Sequence, residues 1–278
     1  METVLKELKK QELENIFGEE EELILKYFIY KNLLSQPEVL PSQTELPIHI
    51  PKEHIEQWVV QALGVEPTGA GSYPIDVYSP KEKWGADVKM ISAKTDKAGN
   101  LKKDTESGET SLAQKFKDTG KSLDTLFASE QYELIKTQWL RIFKEKYEKV
   151  KEEKDIEKIY YFFMIRAGLV FYLVGLRLEL GNLSNVVVDN TSKRKEAVVL
   201  KNFIDAQLGT ARIYKAKKRL ELRLYPAEWE SRGNYIKFSC SFNIDKVKLK
   251  NQIIDEESLR ERFLDLANEI ILTKIIVE

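Results

Sequence analysis

Pro74–Ser92 reads PIDVYSPKEKWGADVKMIS, and this stretch decides what kind of fold the chain builds. Two short apolar runs, Ile75 to Tyr78 and Ala86 to Ala93, flank a turn at Ser79-Pro80, which predicts a β-hairpin. Asp87 and Lys89 are two apart, so on a strand both side chains project from one face. Asp76 lies on the preceding segment and can fold back beside them. Carboxylates set into apolar strands are costly to bury unless paired or metal-bound. Two acids and one lysine on one sheet face are what metal-assisted phosphodiester hydrolysis needs. The acids hold Mg²⁺, and the lysine orients or activates the attacking water and offsets charge on the phosphate. Stray acid–x–lysine spacings elsewhere, as between Glu145 and Lys154, fall on charged helical patterns and read as solvated surface.

Outward from the hairpin, Pro51-Lys52-Glu53 opens a helix through about Leu63, stopped by Gly64, with Ile55, Trp58, Val59 and Ala62 on its apolar face. Residues 1–35 predict one or two helices, and the proline-rich residues 36–51 a linker or extended arm. After the hairpin, Lys94 to Gly108 is polar and predicts a loop. Ser111-Leu112-Ala113-Gln114 has the form of a capping box opening a helix through about Phe127, and another helix is expected over Gln131 to Glu153. Tyr160 to Ile165 and Leu169 to Leu180 predict strands around a turn at Ala167-Gly168, with a third strand at Asn185 to Val188. Ala197 to Gln207 predicts a short helix, Arg212 to Leu224 and Asn234 to Phe242 paired strands, and Glu256 to Thr273 a closing helix.

The 278-residue chain is 42% hydrophobic, enough for a substantial core. Its single cysteine, Cys240, excludes a disulfide framework and favours a reducing, cytoplasmic compartment. Met1 to Lys10 is a charged helical pattern rather than a signal peptide, and Ile159 to Gly175 is too short and aromatic for a membrane span. The net charge of −1 carries no global basic bias towards nucleic acid. His49 and His54, spaced i, i+5, do not form a helical zinc pair, and Gly69-Ala70-Gly71 is no phosphate-binding glycine loop.

Asp76, Asp87 and Lys89, with the hairpin around them, resemble the PD-(D/E)xK nuclease superfamily and, within it, the type II restriction endonucleases. The direct Pro-Asp pair of that motif is replaced here by Pro74-Ile75-Asp76. The resemblance covers residues 52–166 and implies an α/β fold. Its mixed central β-sheet is flanked by helices, an αβββαβ core embedded in additional helices and strands. It implies Asp76 and Asp87 as Mg²⁺ ligands, the Val88 carbonyl completing the site, and Lys89 as the catalytic lysine. Glu56, on the helix before the hairpin, is a further candidate acid; Glu109 and Gln114 follow the hairpin, Gln114 as a site-lining residue or part of the cap. The resemblance further implies 5′-phosphate and 3′-hydroxyl products.

Three regions are expected: an N-terminal helical region and linker over 1–51, the catalytic core over 52–166, and a strand-rich recognition and dimerisation region over 167–278, compact with the core. Basic groups for DNA phosphates stand at Lys193, Arg194, Lys215, Lys217, Arg219 and Arg223. Along a strand Lys215, Lys217 and Arg219 share one face, which equally suits a charge-protected edge strand. The expected partners are double-stranded DNA and a second copy of the chain, since a palindromic site matches protein two-fold symmetry; no membrane is involved. Two alternatives stand beside a site-specific restriction enzyme: a structure-specific repair nuclease, and a non-catalytic DNA- or protein-binding module with a degenerate core.

Overall fold

Strand Lys158–Ala167 is apolar on both faces, which is the signature of a strand covered from both sides. Tyr161, Phe163 and Ile165 enter one core, and Tyr160, Phe162 and Met164 enter the other. The structure, a computed structural model, describes residues 2–69, 73–96, 101–102, 109–114, 116, 121–189, 196–272 and 276–277. Its strands are β1 (Leu5–Glu7), β2 (Glu66–Pro67), β3 (Val77–Ser79), β4 (Trp84–Ser92), β5 (Glu109–Gln114), β6 (Lys158–Ala167), β7 (Val170–Leu178), β8 (Val187–Val188), β9 (Ala197–Lys201), β10 (Gly209–Tyr214), β11 (Arg219–Leu224), β12 (Ile236–Ser239) and β13 (Ile276–Val277). Its α-helices are α1 (Lys10–Glu14), α2 (Glu19–Leu34), α3 (Ile55–Leu63), α4 (Leu123–Ala128), α5 (Tyr132–Lys154), α6 (Pro226–Arg232) and α7 (Glu256–Leu272).

The fold is mixed α/β, with a mixed central sheet flanked by helices. The larger sheet has eight strands in the order β13-β12-β7-β6-β4-β3-β2. β1 shares an edge of β7 with β12, pairing with residues 176–178 while β12 takes 170–173. β4 and β6 run parallel, joined through α5, and every other pair in this sheet is antiparallel. A second sheet of five strands has the order β5-β11-β10-β9-β8.

Two cores follow from the sheet's two faces. Val77, Ala86, Val88 and Met90 pack with α2 and α3, where Trp58 stacks on Phe28. Ile91, Ile159 and Phe163 pack with α5 and the inner face of the second sheet. α5 reaches both through Ile135, Trp139, Phe143, Tyr147 and Val150, a single stripe at helical spacing. Its opposite face is solvated and carries i, i+4 pairs such as Lys144–Glu148. Gly64 closes α3 in the left-handed region at φ 59°, where a side chain would be strained.

The structure corrects four local expectations. Residues 1–35 open with a strand rather than a helix: Leu5 and Glu7 point inward beside β7, and the Leu5 amide donates to Phe203 O. Ser111–Gln114 belongs to β5, where pairing with β11 overrides the capping pattern, and among the described residues the helix is α4. Ala197 opens β9 rather than a helix, as suits the β-branched pair Val198-Val199. Arg212 to Leu224 is not one strand paired with Asn234 to Phe242. It is the β10–β11 hairpin turned at residues 215–218, and β12 pairs with β7 in the other sheet. Lys218 supplies the positive φ of 47° that this turn requires, with no glycine or asparagine to announce it. Lys215 and Lys217 therefore lie in the turn and share no strand face with Arg219.

Candidate active site

β3 is three residues long and pairs with β4 only from Trp84 to Ala86. Beyond Ala86 the β3-side edge of β4 is taken over by Asp76. Its amide donates to Ala86 O at 2.8 Å, and its Oδ2 accepts from the Val88 amide at 2.7 Å, so a carboxylate fills the ladder position that β3 vacates. Thr68 anchors the same turn, its amide donating to Asp76 O at 2.9 Å.

Asp87 and Lys89 stand on the face of β4 that looks towards α5, as their two-residue spacing requires. Four oxygens converge on the Lys89 ammonium. Its Nζ lies 2.7 Å from Asp87 Oδ1, 2.9 Å from Asp76 Oδ2, 3.1 Å from Val88 O and 4.0 Å from Glu56 Oε1. Glu56 reaches this point from α3 around the short β3 edge. The hairpin acids, the lysine and the helix acid thus meet at one place. Lys215, Lys217, Arg219 and Arg223 do not join them, and Lys193 and Arg194 lie outside the described residues.

Burial and charge set the protonation of this group. Asp87 is only 7% exposed, and burial pushes its carboxyl up to about 7, against the opposing pull of Lys89. Burial alone would lower Lys89, but the Asp87 and Asp76 carboxylates outweigh it and raise it, keeping the ammonium charged. Glu56 is raised by partial burial and then by Asp76, with Lys89 opposing.

Two neighbours carried no recognisable signal in the sequence. Lys146 sits on α5 among evenly spaced lysines and glutamates, yet its Nζ donates to Leu112 O of β5 at 2.8 Å. Burial lowers it, and it feels the charges of Asp87, Lys89 and Asp76. Tyr147, next along α5, accepts a hydrogen bond from the Tyr161 hydroxyl, and Tyr161 is the register partner of Asp87. Burial holds both phenols well above their ordinary value.

The donor set fits a hard divalent cation. Two carboxylates and a peptide carbonyl, all oxygen, already surround one positive charge, the ammonium standing in for the ion. Among the described residues there is no group of three or more His, Cys, Asp or Glu that could hold a metal ion. His49 lies away from the site, its backbone amide and carbonyl bonded to the Gln36 side chain.

The β10–β11 hairpin carries the remaining basic candidates. Lys217 pairs with Glu221 at 3.3 Å, and Lys217 and Arg223 both lie over the Tyr214 ring. β11 pairs with β5, and Leu112 of β5 holds Lys146, so the hairpin is linked to the site through one strand. Glu109 and Gln114 occupy the register positions opposite Arg223 and Arg219. No family model, curated protein or solved structure matches this chain.

Proposed function

We propose that this protein is a Mg²⁺-dependent endonuclease hydrolysing phosphodiester bonds of double-stranded DNA at a specific site, in the manner of the type II restriction enzymes. The observation that carries the reading is the convergence of Asp76, Asp87 and the Val88 carbonyl on the Lys89 ammonium. The chain order supports it: α3, then the antiparallel run β2, β3 and β4, then α5 and the parallel β6 give αβββαβ, with β5 and α4 inserted.

Asp76, Asp87 and Val88 O would hold Mg²⁺, which makes a bound water more acidic and offsets charge on the phosphate. Lys89 stays charged and orients the attacking water or a phosphate oxygen. Glu56, its carboxyl raised by partial burial, would take a proton from the attacking water. Lys146 adds a second positive charge on the α5 side for the phosphate backbone. Lys215, Lys217, Arg219 and Arg223 supply further backbone contacts from the β10–β11 hairpin, and a homodimer matches a symmetric site. Among the described residues no helix is long and apolar enough to cross a membrane.

A second reading has one observation in its favour. Lys89 already bridges both carboxylates, as a structural ion cluster in a binding module would. End analysis separates the two. With Mg²⁺ and a mixed-sequence DNA, the enzyme yields discrete fragments with 5′-phosphate and 3′-hydroxyl ends that ligase rejoins. Intact DNA across a broad sequence set, with binding retained, supports the module.

A further inference from the structure

Large apolar side chains left in water are concentrated on one sector of the molecule. Leu23 (61% exposed), Tyr27 (57%) and Leu34 lie on α2, and Ile254 (78%), Phe263 (66%) and Leu264 lie in or just before α7. Leu40 and Leu46 lie on the arm that follows α2; among the described residues only Leu134 and Val187 are comparable elsewhere. Scattered exposed apolar residues are ordinary, whereas a contiguous set marks an interaction surface.

These elements are contiguous. α7 packs against α2. Val39 of the arm bonds Asp245 O and the Val247 amide through its backbone, at 3.0 and 2.9 Å. Arg262 of α7 clamps Glu38 and Asp245 together.

The outer stripe of α2 also indicates what covers it. Glu20, Leu23, Tyr27, Lys31 and Leu34 are all exposed and recur at spacings of three and four. The acid lies towards the N-terminal end and the lysine towards the C-terminal end. A second α2 laid antiparallel, with a two-fold axis midway between them, sets Glu20 of each copy against Lys31 of the other. The same operation brings Leu23 of each copy against Tyr27 of the other. A parallel pairing would instead set Glu20 against Glu20. The stripe alone spans about 21 Å at 1.5 Å per residue. A stable dimer needs roughly 800 Å² from each partner, so Phe263 and Leu264 on the adjoining α7 must share the contact.

We propose that this sector is the interface with a second copy of the chain, organised by antiparallel pairing of α2 helices about a two-fold axis. The inference specifies the homodimer of the proposed function, but its residues are separate from the active site, so either can fail while the other stands.

Sedimentation velocity of the full chain without DNA, from about 1 to 100 µM, a range spanning typical dimer affinities, provides the test. Wild type and Asp87→Ala are expected to be dimers. Leu23→Glu with Tyr27→Glu gives a monomer with an unchanged far-ultraviolet circular dichroism spectrum, since both positions are exposed. Glu20→Lys weakens association at least ~10-fold through like-charge opposition. Adding Lys31→Glu to it restores the dimer. A monomeric wild type, a dimer that survives the Leu23/Tyr27 variant, or a charge swap that fails to restore association overturns the proposal.

Discussion

Replacing Asp87 by Asn should make the metal-free protein more stable above neutral pH and leave it nearly unchanged below about pH 4. Burial raises the Asp87 carboxyl from 3.8 to about 7, so the folded protein holds this proton through a pH range in which the unfolded chain has released it. The group's stabilising contribution is complete below about pH 4 and is lost as pH rises through 7. Three pK units at ~1.4 kcal/mol each set an upper limit of about 4 kcal/mol. The Lys89 ammonium 2.7 Å away opposes that shift, so burial outweighs its pull. A gain of about 2–4 kcal/mol for Asp87→Asn at pH 8 follows, or several degrees in Tm. The amide can still accept from Lys89, and Asp76 keeps its own contact with the ammonium, so the substitution orphans no charge. Urea denaturation at pH 5, 6, 7 and 8 in chelator reads the effect directly. Parallel pH–stability curves for wild type and variant would refute the reasoning, as would a variant less stable than wild type at pH 8.

Mg²⁺ should relieve the same strain: at ten times its Kd it stabilises wild type by ~1.4 kcal/mol at pH 8 and the Asp87→Asn variant by much less, seen by thermal denaturation with and without the ion. Lys146→Met should retain the fold by circular dichroism and weaken DNA binding about tenfold, lowering the salt dependence of log K by about one unit; an unchanged slope would assign Lys146 a purely structural role. Gly209→Ala should cost about 1–3 kcal/mol in urea unfolding, because the added Cβ would fall 2.4 Å from the Arg223 carbonyl oxygen, and backbone cannot step aside as a side chain can. Tyr147→Phe should cost about 1 kcal/mol by the same assay, leaving the buried Tyr161 hydroxyl without its partner.

The parts of the fold that the sequence made legible are those decided by local pattern. The stripe of α5, the Gly64 stop of α3, the doubly apolar β6 and the β3–β4 hairpin all emerge from spacing and turn chemistry. Strand geometry also brings Asp87 and Lys89 to one face, and Glu56 meets them through the shortness of β3, which no pattern announced. The misread elements are those that tertiary partners decide. Ser111 to Gln114 carries a capping pattern, but β11 offers it a ladder. The turn at residues 215–218 lacks glycine, so a hairpin reads as one strand. Lys146 is indistinguishable in sequence from its solvated neighbours, and only the passage of β5 beside α5 singles it out.

Cleavage of a mixed-sequence DNA substrate in Mg²⁺, comparing wild type with Asp87→Ala and Lys89→Ala after each is shown to be folded, tests the central claim most directly. A metal-dependent nuclease centred on Asp87 and Lys89 yields discrete fragments from wild type that vanish with chelator and in both variants. Cleavage that survives both substitutions, or a folded wild type that leaves every sequence intact, would contradict it.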